Sequence, residues 1–166
     1  MSSVRPRLKI APSTAPVETL PLVTAESVDT CFLRTLVGYN TRRASLAIIE
    51  VFMERMAVYD LKVVDFSVLS LVAHNPGITS RQLCATLNVL PPNMVGLIAS
   101  LERRGLIERR PHPSDGRAMG VHLTPEGADL TAQAEGTAAQ LEQDATARLT
   151  ATERKTLIRL LQKVYD

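Results

Sequence analysis

The sequence predicts a mainly α-helical protein with one small two-stranded β-hairpin. Apolar residues recur at helical intervals along most of the chain, whereas only residues 106–123 resemble two strands joined by a turn. The chain has 166 residues, about one domain, since domains usually span ~100–200 residues. Two strands alone are marginal, so we expect the hairpin to pack on the helices.

The first 60 residues divide into an arm and a helical segment. Residues 1–23 contain four prolines and offer little apolar surface for burial, which predicts a flexible arm. Residues 24–60 contain no proline, and their apolar spacing predicts one long helix or two. Their apolar content exceeds what a single small core needs.

The next segment, residues 61–123, begins with two short predicted helices. Asp65 is placed to cap the first, which ends at His74, where the imidazole is expected to be a polar cap beside an Asn-Pro-Gly sequence. Thr79 and Gln82 have the spacing of a capping box, in which each side chain accepts from the other residue's backbone N–H. This pair predicts where the second helix begins.

A third helix and the hairpin complete this segment. Pro91 and Pro92 suit the first turn of a helix, where the missing N–H has no partner to lose, and Gly105 is a natural stop. Residues 106–110 and 119–123 are the two predicted strands.

Residues 124–166 are predicted to form the last two helices. Thr124 and the proline after it begin the first of them, which is expected to reach Leu149. Thr150 and Glu153 have the spacing of a second capping box and begin the final helix, which has an apolar face.

The net charge of +2 hides an uneven distribution. Residues 61–123 hold seven Lys or Arg against four Asp or Glu, whereas residues 24–60 and 124–166 are mildly acidic. Five of these cations lie within fifteen residues: Arg103, Arg104, Arg109, Arg110 and Arg117. Because arginine suits bidentate contacts to phosphates and bases, an anionic partner is expected at this middle segment. A solvated charged face is the alternative.

Composition argues against several other classes of protein. Aromatic residues make up 4% of the chain, which disfavours a stacking platform for single-stranded nucleic acid. The cysteines and histidines lack metal-site spacing, so neither a metal nor a cofactor is expected. No apolar stretch approaches ~18–20 residues, so we expect no membrane partner and a cytoplasmic location. No nucleophile–base pair or phosphate-binding loop points to an enzyme.

A short helix, a turn, a second helix and then a hairpin are typical of a winged helix-turn-helix. From about residue 27 to its end, the chain resembles the MarR family of transcriptional regulators. The matching motifs follow the family's order and spacing: LCATLNV at 83–89, LERRGLIER at 101–109, DGR at 115–117 and LTPEG at 123–127. The resemblance implies a winged helix-turn-helix region at 61–123, between dimerisation helices at 24–60 and 124–166.

The resemblance also implies a homodimer that binds double-stranded DNA. Family members dimerise through their first and last two helices, which fits the surplus of apolar residues in this chain. A two-fold dimer reads a pseudo-palindromic operator whose half-sites lie roughly 34–36 Å apart. By resemblance, the expected DNA-binding residues are Pro92, Asn93, Met94, Gly96, Leu97, Arg103, Arg109, Arg110, His112, Asp115 and Arg117.

Two departures from the family pattern change the expected contacts. In the wing, Asp115 is expected to orient the tip and Arg117 to enter the minor groove, but Gly116 stands where many relatives have a second Arg. The recognition helix has Asn93 and Gly96 in place of a Ser-Thr start and an Arg. Asn93 is therefore expected to pair with an adenine or to cap the helix, and Gly96 to let the backbone approach the DNA.

Many relatives are repressors that small aromatic or phenolic acids release from DNA. In this chain Tyr39, Asn40, Arg42 and Arg43 lie on adjacent turns of the first helix. There an Arg could hold the carboxylate of such an acid or the phosphates of its coenzyme A thioester. The alternative is that Arg42 and Arg43 pair with acidic residues of the partner helix.

Cys31 permits a different mode of control. Peroxide-sensing members of the family have a reactive Cys before a Phe in this helix, as Cys31 stands before Phe32. A reactive thiolate needs a cationic or hydrogen-bonding environment, and Arg34 is the only local cation. Cys84, by contrast, is expected to lie in the core. A winged-helix module that binds proteins rather than DNA is a further alternative.

Overall fold

The computed structural model describes residues 28–112 and 115–165, with the backbone alone for residues 112 and 115–118. The predicted arm, residues 1–23, lies outside the described residues. The elements in chain order are α1 (Cys31–Arg34), α2 (Val37–Met56), a 3₁₀ turn (Ala57–Tyr59), α3 (Val63–His74), β1 (Ile78–Thr79), α4 (Ser80–Leu87), α5 (Pro91–Arg103), β2 (Ile107–His112), β3 (Asp115–Leu123), α6 (Pro125–Ala145) and α7 (Ala151–Tyr165).

The N-terminal helical segment is two helices rather than one. The chain leaves α1 after Arg34 and enters α2 at Val37, and the Asn40 amide holds the joint by donating to the carbonyls of Arg34 and Leu36, both at 2.8 Å. At its other end α2 runs into the 3₁₀ turn, after which Asp60 adopts a left-handed φ of 51°. This residue redirects the chain towards α3.

The capping predictions for α3 and α4 have different outcomes. Asp65 was expected to precede α3, but the helix begins at Val63 and Asp65 lies in its first turn, where the carboxylate accepts from the Lys62 N–H at 3.1 Å. The predicted start was therefore late by one turn. The capping box of α4 is confirmed, because the Gln82 N–H donates to Thr79 Oγ1 and the Thr79 N–H donates to Gln82 Oε1.

Within the described residues, the sheet has three antiparallel strands rather than the two expected from the sequence. Its order is β1-β3-β2, with Ile78 and Thr79 of β1 paired to Val121 and Gly120 of β3. Two residues are too few to show an alternating pattern, so the sequence gives no sign of β1. A Cβ on Gly120 would lie 2.8 Å from the Gly77 carbonyl oxygen, so β1 can approach β3 only at a glycine.

The two C-terminal helices begin where the sequence predicts. The Gly127 N–H donates to Thr124 Oγ1 at 3.0 Å at the start of α6, and Thr150 and Glu153 form the predicted capping box at the start of α7. However, α6 ends at Ala145, four residues before the predicted Leu149. A short turn carries the chain from there to α7.

Gly127 of α6 lies close to the backbone of Leu106, the residue before β2. A Cβ added at Gly127 would lie 1.8 Å from the Leu106 carbonyl oxygen. Because this atom belongs to the backbone, shifting it to relieve the clash costs free energy. We expect Gly127→Ala to lower the free energy of unfolding by roughly 1–3 kcal/mol or more through overpacking. Urea denaturation followed by circular dichroism measures this change.

Gly136 provides the matched control on the same helix. A Cβ there meets no atom within 4 Å, so Gly136→Ala is expected to stabilise the protein by about 0.5–1 kcal/mol by removing a helix-interior glycine. Equal stabilities for Gly127→Ala and the parent would show that α6 does not pack on Leu106 as described.

The buried core joins the helix-turn-helix to the two long helices. Its apolar side chains come from α2 to α6, β2 and β3, but α2 contributes only Phe52 and Met56, and α7 has no buried residue. Much of the apolar surface of α1, α2 and α7 is therefore exposed in the single chain. Among the described helices, none is by itself long and apolar enough to cross a membrane, and α4 with α5 passes that test only as a pair bent by 116°.

Candidate nucleic-acid interface

The helices α4 and α5 have the geometry of a helix-turn-helix. The three residues between them include Asn88 at a left-handed φ of 50°, and the helix pair is bent by 116°. This angle falls in the ~90–120° range of that motif. Leu83 of α4 and Leu101 of α5 are fully buried, so the core fixes the angle between the two helices.

One side of α5 is buried and the other is open to solvent. Met94 is 0% exposed, and Leu97 is half-buried against the core. The DNA contact predicted for Met94 is therefore corrected, because Met94 belongs to the apolar face that holds the helix in place. The contact predicted for the half-buried Leu97 stays a prediction. The exposed face of α5 includes Pro92, Asn93, Val95, Gly96 and Arg103, and Pro91 at the start of the helix is exposed as well.

Asn93 lies on this exposed face and does not cap the helix. Leu90 is the residue before the first turn, and no side chain caps α5 there. At Gly96, three residues after Asn93, an added Cβ would have no atom within 4 Å. The exposed face of α5 is one helix wide, with the Asn93 amide near its edge and Gly96, which has no side chain, near its middle. Such a face can come close to base edges in a major groove.

Val95 is a surface residue that the sequence reasoning missed. Its side chain is 61% exposed, although valines in helices usually face a core. The available signal was its position, because Val95 falls outside the i, i+3, i+4, i+7 series that begins at Met94. An exposed apolar side chain on this face is suited to contact with the methyl group of thymine.

The arginines after α5 are less open than the charge count suggests. Arg109 is bound to Glu102 of α5, with Nη2 at 2.5 Å and Nε at 3.2 Å from Oε2. The hydrogen bonds from Arg109 hold the pKa of Glu102 below its ordinary value, and the same bonds raise the pKa of Arg109. Arg110 pairs with Glu108 in β2. A phosphate would have to compete with these carboxylates.

Arg103 and Arg104 are neighbours with different environments. Arg103 is exposed, and its Nε donates only to the Ala99 carbonyl, at 3.3 Å, among the described contacts. Arg104 instead donates to the backbone carbonyls of Tyr59 and Asp60. Of the five arginines that were expected to face an anionic partner, Arg104 is therefore already bound within the protein.

The wing is formed by β2 and β3. These strands pair from Ile107 with Leu123 to Pro111 with Met119, and the register shifts before His112 pairs with Asp115. The side chains of His112, Asp115 and Arg117, three of the predicted DNA contacts, lie outside the described residues. The described backbone shows that the pairing of β2 with β3 continues past Gly120 and Val121, the residues of β3 that pair with β1.

The four residues predicted to hold an effector lie on the first turns of α2. Tyr39 is half-buried, whereas Arg42 and Arg43 are exposed and form no ion pair within the described residues. The Asn40 amide nitrogen is already used at the α1–α2 joint, which leaves only its oxygen for a ligand. The helix therefore brings Tyr39, Arg42 and Arg43 together on one face, since they are three and four residues apart.

The structure places the carboxylate of Asp29 beside Cys31. Cys31 is exposed, but its backbone N–H donates to the Asp29 carboxylate at 2.8 Å, and hydrogen bonds from Cys31 lower the pKa of Asp29. The Arg34 Nε donates to Thr30 Oγ1 at 3.1 Å. Among the described hydrogen bonds, Cys31 thus has an acidic partner, and none joins it to a cation. Cys84 packs against the core, as predicted.

His74 has a partner that the sequence did not reveal. It was expected to cap the end of α3, but its Nε2 lies 3.0 Å from Glu135 Oε1, which also accepts from the Ser70 hydroxyl. The Asn75 amide caps the helix instead by donating to the Leu71 carbonyl. In the part of the chain that the structure describes, no three potential metal ligands converge.

Several known proteins are similar to this chain in sequence and in fold. The family model described as the MarR family matches residues 59–118. A candidate transcriptional regulatory protein for the hcr operon of Thauera aromatica is 32% identical over 129 residues, which cover 77% of this chain and 78% of that protein.

Two solved structures extend the comparison to the fold. The transcriptional repressor CouR, bound to a 23-mer DNA duplex, has a TM-score of 0.78 and 34% identity, over 84% of this chain and 99% of that chain. The MarR family protein Rv2887 of Mycobacterium tuberculosis, in complex with salicylic acid, has a TM-score of 0.64 and 26% identity, over 78% of this chain and 96% of that one. Because sequence and fold agree over most of each protein, the chain belongs to the MarR family of winged-helix, DNA-binding transcriptional regulators.

Proposed function

We propose that this regulator is a homodimeric repressor of a nearby operon, and that a small aromatic acid or its coenzyme A thioester releases it from a pseudo-palindromic operator. The observation that carries the proposal is the exposed face of α5. It lies beside the wing, and α5 belongs to a helix-turn-helix whose inner side is buried in the core. CouR, a repressor of the same fold, is bound to a DNA duplex, which supports the repressor role.

The exposed apolar surface supports the homodimer. Phe32 in α1 and Val37 at the start of α2 are 74% and 70% exposed, and Val164 near the end of α7 is 73% exposed. The same three helices also expose Leu33, Leu46, Ile49, Met53, Leu157, Ile158 and Leu160, and Leu36 between α1 and α2 is exposed as well. Exposed apolar side chains in this number mark an interface between proteins, and two-fold pairing of identical chains is the commonest way to cover them.

In the proposed complex, the two copies of α5 enter successive major grooves on one side of the duplex. Asn93 would read an adenine and Val95 a thymine methyl, while Arg103 contacts a phosphate. The wing residues His112, Asp115 and Arg117 would reach the backbone and the adjacent minor groove. Arg109 and Arg110 would contribute to the extent that DNA displaces Glu102 and Glu108.

The start of α2 is the proposed effector site. Arg42 and Arg43 are exposed cations, and Leu46 lies one turn further along the same face, so an aromatic ring could rest on the leucine while its carboxylate pairs with an arginine. Rv2887 binds salicylic acid, which supports an acid of this class. The groove lined by Tyr59, Glu126 and Asp129 is a poorer candidate, because its two carboxylates would repel an anion.

A titration of the protein–operator complex tests this control. We expect salicylate-like acids or their thioesters to release the DNA, and Arg42→Gln with Arg43→Gln to require a higher ligand concentration at unchanged operator affinity. The ligand shifts binding only by its difference in affinity for the two states. Salicylate and cumene hydroperoxide are measured in parallel by gel shift.

Cys31→Ser is the control variant for that titration. Release by peroxide in the parent but not in Cys31→Ser would replace the aromatic effector with a redox signal. Release by the acid with equal potency in the arginine variants would remove the effector from the start of α2.

A further inference from the structure

Arg104 joins the end of the recognition helix to the end of α2. It is the residue directly after α5, and its side chain is 29% exposed. Nη1 donates to the Asp60 carbonyl at 2.8 Å, and Nη2 donates to the Tyr59 carbonyl at 3.0 Å. The Asp60 carboxylate is further away, at 3.9 Å, and is almost fully exposed, so the two carbonyls are the main partners.

These carbonyls lie where a helix leaves backbone acceptors unsatisfied. The 3₁₀ turn ends at Tyr59, and the left-handed Asp60 then breaks the helical hydrogen-bond pattern. Terminal carbonyls carry partial negative charge and attract a cation. The planar guanidinium reaches both of them at once, whereas a lysine ammonium could not reproduce this fork.

The same turn is also fixed to α6. The Tyr59 hydroxyl lies 2.8 Å from Thr137 Oγ1 and donates to the Gln133 carbonyl at 3.4 Å. A continuous path of polar contacts therefore runs from the end of α5, through the Tyr59–Asp60 turn, to the middle of α6. Both α2 and α6 belong to the helical part that carries the proposed dimer.

We propose that Arg104 is a positioning residue that holds α5 at a fixed orientation to α2 and α6, and thereby sets the half-site separation that the dimer accepts. This inference rests on the proposed function, because it concerns operator binding by a dimer. Arg104 touches no DNA in this role. Loss of the Arg104 side chain should allow the relative orientation of the two recognition helices to vary. It should leave the number of contacts to DNA phosphates unchanged.

Operators of altered spacing test the inference. A duplex selected by the parent protein from a randomised pool is compared with versions that have one base pair added or removed between the half-sites, which changes their separation by about 3.4 Å and their rotation by about 34°. We expect the parent to lose affinity by about tenfold or more, as for a mismatched base pair. Arg104→Ala should bind the three duplexes within about threefold of one another, and Arg104→Lys should fall between the two.

Arg103→Ala is the matched control, since Arg103 is the exposed neighbour and a proposed phosphate contact. It should weaken all three duplexes by the same factor and reduce the salt slope by about 1 per half-site. Arg104→Ala should leave the salt slope as it is. Tyr59→Phe, which keeps the carbonyl acceptors but removes the contact to Thr137, should also reduce discrimination between spacings.

The outcomes are separable. If the parent selects no duplex, the proposed function fails. The positioning role is overturned if Arg104→Ala discriminates between spacings as well as the parent does. It is also overturned if Arg104→Ala has a reduced salt slope, as expected for Arg103→Ala. Should Arg104→Ala fold poorly by circular dichroism, the same criteria apply to Arg104→Lys and Tyr59→Phe.

Discussion

Leu160→Asp is expected to make the protein monomeric and to abolish specific operator binding at submicromolar concentrations. Leu160 is 49% exposed on α7, a helix without a single buried residue in the isolated chain. In the proposed dimer this side chain is covered by the partner. A carboxylate there would be buried without a counter-ion, and two-fold symmetry would repeat the penalty in both subunits.

The expected size of this effect is large. An uncompensated buried charge costs about 3–5 kcal/mol, and each ~1.4 kcal/mol is a tenfold change in an equilibrium constant. Two such charges weaken the dimer by more than about 10⁴-fold. Sedimentation velocity measures the oligomeric state, and a gel shift measures operator binding on the same samples.

Gln162→Asp is the control for this substitution, because it adds the same charge to the same helix at an exposed polar residue. It should leave the dimer and its operator affinity intact. A dimeric Leu160→Asp protein with parental affinity would mean that α7 is not part of the dimer interface.

Asn93→Ala is expected to reduce affinity for the operator while leaving non-specific DNA binding unchanged. An amide paired bidentately with adenine contributes about 1–3 kcal/mol of discrimination, and a dimer makes this contact in each half-site. The specific affinity should therefore fall by about 30-fold or more. Fluorescence anisotropy with the operator and with a scrambled duplex of equal length separates the two affinities.

The control for Asn93→Ala lies at the other end of the same face. Arg103→Ala should weaken binding to the operator and to the scrambled duplex alike, because a phosphate contact carries no sequence information. If Asn93→Ala also weakened both duplexes equally, Asn93 would be a backbone contact rather than a base contact.

The sequence predicted the order of the helices because local signals mark where they begin. The Thr79–Gln82 and Thr150–Glu153 boxes combine two short-range hydrogen bonds at fixed spacing, and both form as expected. Asp65 was misplaced by one turn, since an acidic residue suits either the cap or the first turn of a helix. β1 was missed, because its pairing with β3 depends on residues about forty positions apart.

The candidate site was predictable only in part, because its side chains interact across elements. The 3.6-residue period of α5 places Met94 and Leu97 on its apolar face, and the full burial of Met94 shows that this residue serves packing. The pairing of Arg109 with Glu102 joins a strand to a helix, and the fork of Arg104 reaches a turn more than forty residues earlier. Neither contact follows from spacing along the chain, so a count of arginines overstated the charge available to DNA.

The most direct test of a dimer that reads bases through α5 is to select operators from a randomised duplex pool with the parent and with Asn93→Ala in parallel. We predict that the parent pool converges on two inverted half-sites about one helical turn apart, and that one adenine position, symmetric in the two half-sites, becomes random in the variant's pool. A single unpaired site in the parent pool, or identical sequences in the two pools, would contradict this mechanism.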